Sequence, residues 1–245
     1  MEKVIADVRS ALYIKRAIDV AQTVGVDSML FRPGLVSGIG GKTGMSVVML
    51  HNHTEELTFD VLGVMRPSDL GSRLNLIDCT KPDSIVTDVI MEKIDDDPTP
   101  RRIITNATLK NGRVKVTYAA GSPKAIRAPR RITFTATHEM SIAPDAVFAS
   151  LSNANRVLMC DADTAVSISA TQGELVASVQ DRNNDVYEDV IATVESGVSF
   201  SHRYVLSYFL PLMRNHTQSK PLIISKEGIL QFDIDGFTVY QLPKV

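Results

Sequence analysis

One order of secondary structure can be read twice along this 245-residue chain, and that repetition constrains its fold more than any single motif. Near the middle, residues 119–131 ("AAGSPKAIRAPRR") hold two prolines, one glycine and four basic residues, with no acid. Proline-bearing polar segments of this kind suit extended connectors. Before it, residues 7–24 place Ala11, Ile14, Ile18 and Ala21 at helical spacing. The β-rich runs "SMLFRPGLV", "MSVVMLHN" and "LTFDVLGVM" follow. Next comes a short helix with Pro67 early and Leu70, Leu74 and Ile77 on one stripe. Three more strands close the half, the last two joined at Asn111-Gly112, a hairpin signal. After the connector the order recurs. A strand precedes a helix with Pro144 near its start and Val147, Phe148 and Leu151 inside. Three strands, a second helix over "SHRYVLSYFLPLMRNH", and three closing strands complete it.

This pattern predicts an α+β chain of two similar domains, 1–120 and 132–245, joined by a linker at 121–131. Each domain has two helices packed on antiparallel sheet. The two halves share negligible sequence identity, so the duplication is one of element order.

The composition suits such a fold: 44% of residues are apolar and 22% charged. No stretch approaches the roughly 18 uninterrupted apolar residues of a membrane helix, and the N-terminus lacks the basic-then-apolar order of a signal peptide. Two cysteines, Cys79 and Cys160, form neither a metal-type spacing nor a disulfide framework. A cytoplasmic protein with no membrane partner is expected. The net charge is −2, unevenly spread: residues 1–128 hold 17 Lys/Arg against 15 Asp/Glu, and residues 129–245 hold 9 against 13. A chain so balanced binds nucleic acid only by sorting its charges onto different faces.

Enzyme signals are weak. "SGIGGKTG" at 37–44 resembles a phosphate loop, but the glycine required five residues before Gly41 is Val36, and a β-rich run follows where a helix should begin. As a dinucleotide fingerprint it has Thr43 at the third glycine. A loop between two strands is expected, with Lys42 meeting at most the phosphate of passing nucleic acid. His51 and His53 share one side of a strand, yet nothing nearby completes a ligand set, and "DDDP" at 95–98 and "CDAD" at 160–163 read as polar turns. No nucleophile sits in a recognisable elbow. Neither metal, nor cofactor, nor catalytic residue is expected.

Cations on the predicted helices carry more information. Arg9 and Arg16 are seven apart and share a face opposite Ile14 and Ile18, with Lys15 on its flank. Arg203 and Arg214 are eleven apart, about three turns. Arg73 and Arg156 lie on or at the end of the other two helices. Cations on all four helices make a repeated phosphate-facing surface that needs no base-reading groups.

The last fifty residues resemble the closing segment of sliding clamps related to proliferating cell nuclear antigen. The matching features are Arg203-Tyr204-Val205-Leu206 and the terminal Tyr240-Gln241-Leu242-Pro243-Lys244, with the hairpin "TAVSISATQGELVASVQ" before them. The first half is similar in architecture, and its length and basic linker look closer to the clamps of tailed bacteriophages. The resemblance implies two clamp-type domains per chain and a homotrimeric ring around duplex DNA, bound without regard to sequence. Such a ring serves a DNA polymerase as processivity factor, is opened by a clamp loader, and works at the site of replication, in the host cytoplasm if phage-encoded. The DNA-facing residues would be Arg9, Lys15, Arg16, Arg73, Arg156, Arg203 and Arg214. A pocket for partner peptides would involve Ile126, Tyr240, Leu242 and Pro243. The alternatives are a monomeric electrostatic processivity factor of the same fold and a small viral enzyme.

Overall fold

In the N-terminal half, β1 (Glu2–Ala6) leads into α1 (Val8–Thr23). Then come β2 (Ser28–Arg32), β3 (Leu35–Gly40), β4 (Val47–Asn52), β5 (Leu62–Val64), α2 (Pro67–Leu74), β6 (Ile85–Lys93), β7 (Arg102–Leu109) and β8 (Gly112–Ala119). The C-terminal half begins with β9 (Ala136–Met140), α3 (Pro144–Val157), β10 (Ala165–Thr171), β11 (Glu174–Gln180) and β12 (Val186–Thr193). It continues with β13 (Phe200–Val205), α4 (Leu206–Asn215), β14 (Leu222–Ser225), β15 (Leu230–Ile234) and β16 (Phe237–Gln241). The computed structural model describes every residue except 1, 7, 42–45, 55–56, 58–60, 76–84, 94–101, 110–111 and 245; for 2–6, 8–11, 85–93, 102–109 and 112–114 it describes the backbone element and not the side chain. Lys42, Cys79, the acidic run 95–97 and Asn111 therefore lie outside the described residues.

The duplication extends to strand order. Two compact units divide the chain: unit 1 holds Met1–Gln22, Val26–Ile39 and Leu50–Arg130, and unit 2 holds Thr23–Gly25, Gly40–Met49 and Arg131–Val245. The N-terminal strands run β1-β6-β7-β8 and β5-β2-β3-β4; the C-terminal strands run β9-β14-β15-β16 and β13-β10-β11-β12. Adding eight to each N-terminal strand number gives its C-terminal counterpart. The recorded pairings are antiparallel, as hairpin connections require.

Local sequence accounts for most elements. α1 buries Ile14, Ala17, Ile18 and Ala21 at helical spacing. α2 and α3 each start on a proline, Pro67 and Pro144, whose missing N–H costs nothing in a first turn. The β2–β3 turn sets Pro33 before Gly34 at φ 73°, and the β10–β11 and β15–β16 hairpins turn on Gln172-Gly173 and Asp235-Gly236, all four with positive φ. Leu109 pairs with Gly112, so β7 and β8 form a hairpin; Gly112 stands in the strand, and the expected turn residue Asn111 lies outside the described residues.

Two elements differ from expectation. β1 precedes α1, where the periodicity of the first residues gave no strand. The helix expected over residues 201–216 begins only at Leu206, because residues 200–205 pair with β10 as β13, from Phe200↔Ala170 to Val205↔Ala165. Arg203 thus stands on a strand, and its supposed helical alignment with Arg214 does not exist.

Within each unit the two helices pack together. In unit 1 a Cβ on Gly71 of α2 would lie 3.0 Å from Ile18 Cγ2 and 2.7 Å from Gln22 Nε2 of α1. In unit 2, α3 packs on α4, and the Arg214 guanidinium lies 5.4 Å from the Phe148 ring centre. The core of unit 2 is knitted by rings. Tyr204 packs on Phe209, Phe209 edge-on to Phe232, and Phe232 edge-on to His216. The Tyr204 hydroxyl donates to the Gly228 carbonyl at 2.7 Å. His216 is buried; the Asp233 N–H donates to its Nδ1 at 3.1 Å and its Nε2–H to the Lys220 carbonyl at 3.1 Å, which makes it a neutral imidazole.

Residues 119–130 are not a free linker. The Gly121 N–H donates to the Gly63 carbonyl at 2.8 Å, and a Cβ on Gly63 would collide with the Gly121 carbonyl. Ile126 and Ala128 are buried against Leu30, with Ile39 and Val61 packed around them. The Arg32 guanidinium donates to the Ala128 carbonyl at 3.3 Å. The segment is a strap fastened along unit 1.

Candidate nucleic-acid interface

The four helices concentrate positive charge. They carry six Lys/Arg (Arg9, Lys15, Arg16, Arg73, Arg156, Arg214) against three acids (Asp19, Asp69, Asp145), a net of +3. The chain totals −2, so everything else sums to −5. This is the sorting of charge that a nearly neutral chain needs to meet a polyanion.

The individual cations differ in what they can offer. Arg16, Arg156 and Arg214 are exposed, Arg156 and Arg214 in the last turns of α3 and α4, where cations also suit the helix dipole. Arg214 is held over Phe148, which fixes its direction without neutralising it. Lys15 is tied to Asp19 at 2.7 Å with a quarter of its side chain exposed, a surface pair of small energetic weight that an incoming phosphate can displace. Arg73 is folded back: its guanidinium donates to the Asp69 and Thr117 carbonyls and lies 5.9 Å from the Tyr118 ring centre. It braces α2 against β8 and offers less to a ligand than its sequence position suggested. Arg203 is exposed on β13, and its carbonyl accepts from the Lys244 N–H. Arg9 lies on α1, its side chain outside the described residues.

Sequence reasoning passed over the surroundings of Arg16. A cavity of 330 Å³ in unit 1 is lined by Arg16 and Tyr13 from α1 and by His51, Asn52, His53 and Thr54 at the end of β4. The Tyr13 ring lies 5.9 Å from that of His51 and 4.8 Å from that of His53, and His53 Nε2 donates to the Arg32 carbonyl at 3.1 Å. The two histidines two apart, His51 in β4 and His53 just past its end, were the signal; what remained hidden was the helix that faces them. Among the described residues no three His, Cys, Asp or Glu side chains gather as a metal site, and no helix is long and apolar enough to cross a membrane.

The residues expected to receive partner peptides fall in both units. Ile126 is 5% exposed in the core cluster of unit 1. In unit 2, Tyr240 on β16 is half-buried with its ring 5.4 Å from that of Phe134, and burial pushes its hydroxyl pKa up. Leu242, whose N–H donates to the Ser46 carbonyl at 3.0 Å, and Pro243 are half-buried beyond it.

In sequence the chain stands apart: no protein-family model matches it, and no curated protein does. Its structure does not. Proliferating cellular nuclear antigen from Entamoeba histolytica superposes with a TM-score of 0.59 at 14% identity, over 99% of this chain and 98% of that one. A putative DNA polymerase III beta subunit from Eubacterium rectale gives 0.64 at 10% identity, over 100% of this chain and 66% of that one. The chain has the sliding-clamp fold. A third match, proliferating cell nuclear antigen of A. fulgidus bound to the C-terminal region of FEN-1, gives 0.57 at 13% identity, covering 100% and 99%. The clamp fold thus spans both units, and Arg203-Tyr204-Val205-Leu206 falls at its β13–α4 junction, where Tyr204 anchors the core and Arg203 points outward.

Proposed function

We propose that this chain is a sliding clamp: a DNA polymerase processivity factor without catalytic activity, three copies of which close a ring around duplex DNA. The observation that carries this reading is the net +3 on the helices of a clamp-fold chain whose remainder is −5. Phosphate contacts from Arg9, Lys15, Arg16, Arg156 and Arg214 are sequence-blind, and a topologically linked ring needs them only weakly, which permits sliding. Arg73 and Arg203 belong to the same proposed surface, Arg73 chiefly as a brace. The polar groups around Arg16 add hydrogen-bond donors for a phosphate oxygen.

Two of the strands that end their rows among the described residues support ring closure. β8 and β12 end their strand rows, and no residue of β12 is fully buried. Val186 and Val190 on β12 are 53% and 50% exposed, and Val157 at the end of α3 and Met159 just beyond it 71% and 59%. An edge with exposed apolar side chains is a template for another strand; in our reading β12 of one copy joins β8 of the next. A polymerase and a clamp loader are the proposed partners, in the cytoplasm of a phage-infected host. The A. fulgidus protein is bound by a C-terminal region of FEN-1; by analogy, partner tails would dock near Ile126, Tyr240, Leu242 and Pro243.

Salt separates topological from electrostatic binding. Once loaded on nicked circular DNA, the protein is expected to stay through a 1 M salt wash and to leave on linearisation. Loss from the circle in salt would point instead to a monomeric electrostatic factor. The double variant Arg16→Glu with Arg214→Glu is expected to lower affinity for linear duplex at least tenfold and to flatten its salt dependence, measured by fluorescence anisotropy. An unchanged salt slope would remove these residues from the DNA surface.

A further inference from the structure

Among the described residues two methionine side chains are exposed, Met65 at 45% and Met159 at 59%, whereas Met29, Met49, Met140 and Met213 are buried. The surroundings of the two differ. Two nitrogen donors are turned on the Met159 sulfur: Asn183 Nδ2 donates to Sδ at 3.4 Å and Arg182 Nη2 at 3.7 Å. The Met65 side chain lies against Gly121, and no donor meets its sulfur among the described residues.

One buried carboxylate builds the arrangement at Met159. Asp181, 6% exposed, accepts the Met159 N–H on Oδ2 at 3.0 Å. Its Oδ1 accepts from the N–H groups of Asn183 and Asp185 at 2.8 and 3.0 Å. The turn between β11 and β12 closes on itself: Asp181 N–H donates to the Asp185 carbonyl at 3.0 Å, and Asn184 N–H to the Asp181 carbonyl at 3.1 Å. Main-chain bonds therefore set Met159 beside Asn183 before either side chain acts.

Donors and acceptor are poorly matched. A thioether is a weak acceptor, whereas a guanidinium and a carboxamide are strong donors. Neither the Arg182 nor the Asn183 side chain makes another hydrogen bond or an ion pair among the described residues. A sulfoxide oxygen supplies the missing acceptor, on the sulfur that both donors already face. The adjacent thiol is no rival. The Cys160 pKa is pushed up, first by burial, with the carboxylates of Asp181 and Asp161 adding to it, so the thiol stays protonated and slow to react.

We infer that Met159 is an oxidation site: a hydroperoxide converts it to the sulfoxide, and Arg182 and Asn183 hold the new oxygen. The sulfur lone pair attacks one peroxide oxygen, forming the S–O bond as the O–O bond breaks. The departing oxygen leaves as hydroxide, stabilised by the guanidinium, and takes the proton lost from S–OH to become water. Sulfur gives up two electrons and the peroxide gains them. Reductases return the sulfoxide to the thioether, so the mark is a removable one on the turn that leads into β12 at Val186. None of this requires a ring or DNA.

The wild-type protein is treated with dilute hydrogen peroxide at neutral pH, and each methionine is followed by peptide mass spectrometry. Exposure alone gives Met159 and Met65 nearly equal rates. With its two donors, Met159 is expected to oxidise faster by about threefold or more, the low end of what one hydrogen bond supplies. That ratio is expected to fall towards one in Arg182→Ala/Asn183→Ala, which removes exposed side chains and leaves the main-chain bonds to Asp181 in place. Retention is read separately. Reduction of oxidised Met159 by reductases for both sulfoxide epimers is expected to run about threefold slower in the wild type than in the double variant. Equal oxidation of Met159 and Met65 in the wild type overturns the inference. So does a ratio that the double variant leaves unchanged, or equal reduction of the two oxidised proteins. Circular dichroism checks that the variant is folded, and the comparison of Met159 with Met65 decides without it.

Discussion

His216 shows how single residues set the conditions under which unit 2 is stable. Burial lowers its pKa, outweighing the backbone carbonyls of Lys220 and Asp233 that favour the charged form. A histidine whose folded pKa lies below its unfolded value of 6.5 contributes stability that is complete above that value and is lost as pH falls below it, because the unfolded chain takes up the proton first. Thermal unfolding followed from pH 7.5 to 5 should show a falling Tm in the wild type. A flatter profile is expected in His216→Gln, whose amide can accept from Asp233 N–H and donate to Lys220 O; equal slopes would contradict this. Tyr204 acts through one bond. Tyr204→Phe removes the donor to a buried Gly228 carbonyl and should cost about 1–3 kcal/mol in urea unfolding, with no change in fold.

At the scale of elements, helices were legible because apolar spacing and proline starts are local. Ile14 and Ile18, or Pro144 with Val147 and Leu151, specify a helix and its buried face without help from distant residues. That β7 and β8 form a hairpin was legible for the same reason, though Gly112 stands in the strand. Where one element replaces another in mid-pattern, local signals failed. "SHRYV" alternates well enough for a strand and is followed at once by helix, and only its pairing with β10 decides where the change falls. The candidate site was legible to the same degree. Cations could be placed on helices, but not the folding back of Arg73 onto Thr117 and Tyr118, 44 and 45 positions away. Nor could the sequence show that the linker is a strap, since that depends on Gly121 meeting Gly63 with no room for a side chain. Gly63→Ala should therefore destabilise unit 1 by about 1–3 kcal/mol and raise proteolysis at residues 122–130, seen by limited trypsin digestion; an unchanged digestion pattern would mean the strap is held otherwise.

For the whole molecule, β8 and β12 are among the strands that end their rows in the described residues, and a chain with such edges either hides them or joins them to another copy. Exposed Val186 and Val190 argue for joining. Placing a charge there should break the joint while sparing the fold: Val190→Arg is expected to give folded monomers that have lost DNA retention on circles. Sedimentation that shows the variant still assembled would move the joint elsewhere. The clamp reading itself stands or falls with assembly. Its most direct test is the solution mass of the unmodified protein by light scattering at 20 µM. Three chains of 26.8 kDa predict about 80 kDa, and a strictly monomeric mass of 26.8 kDa would contradict the ring.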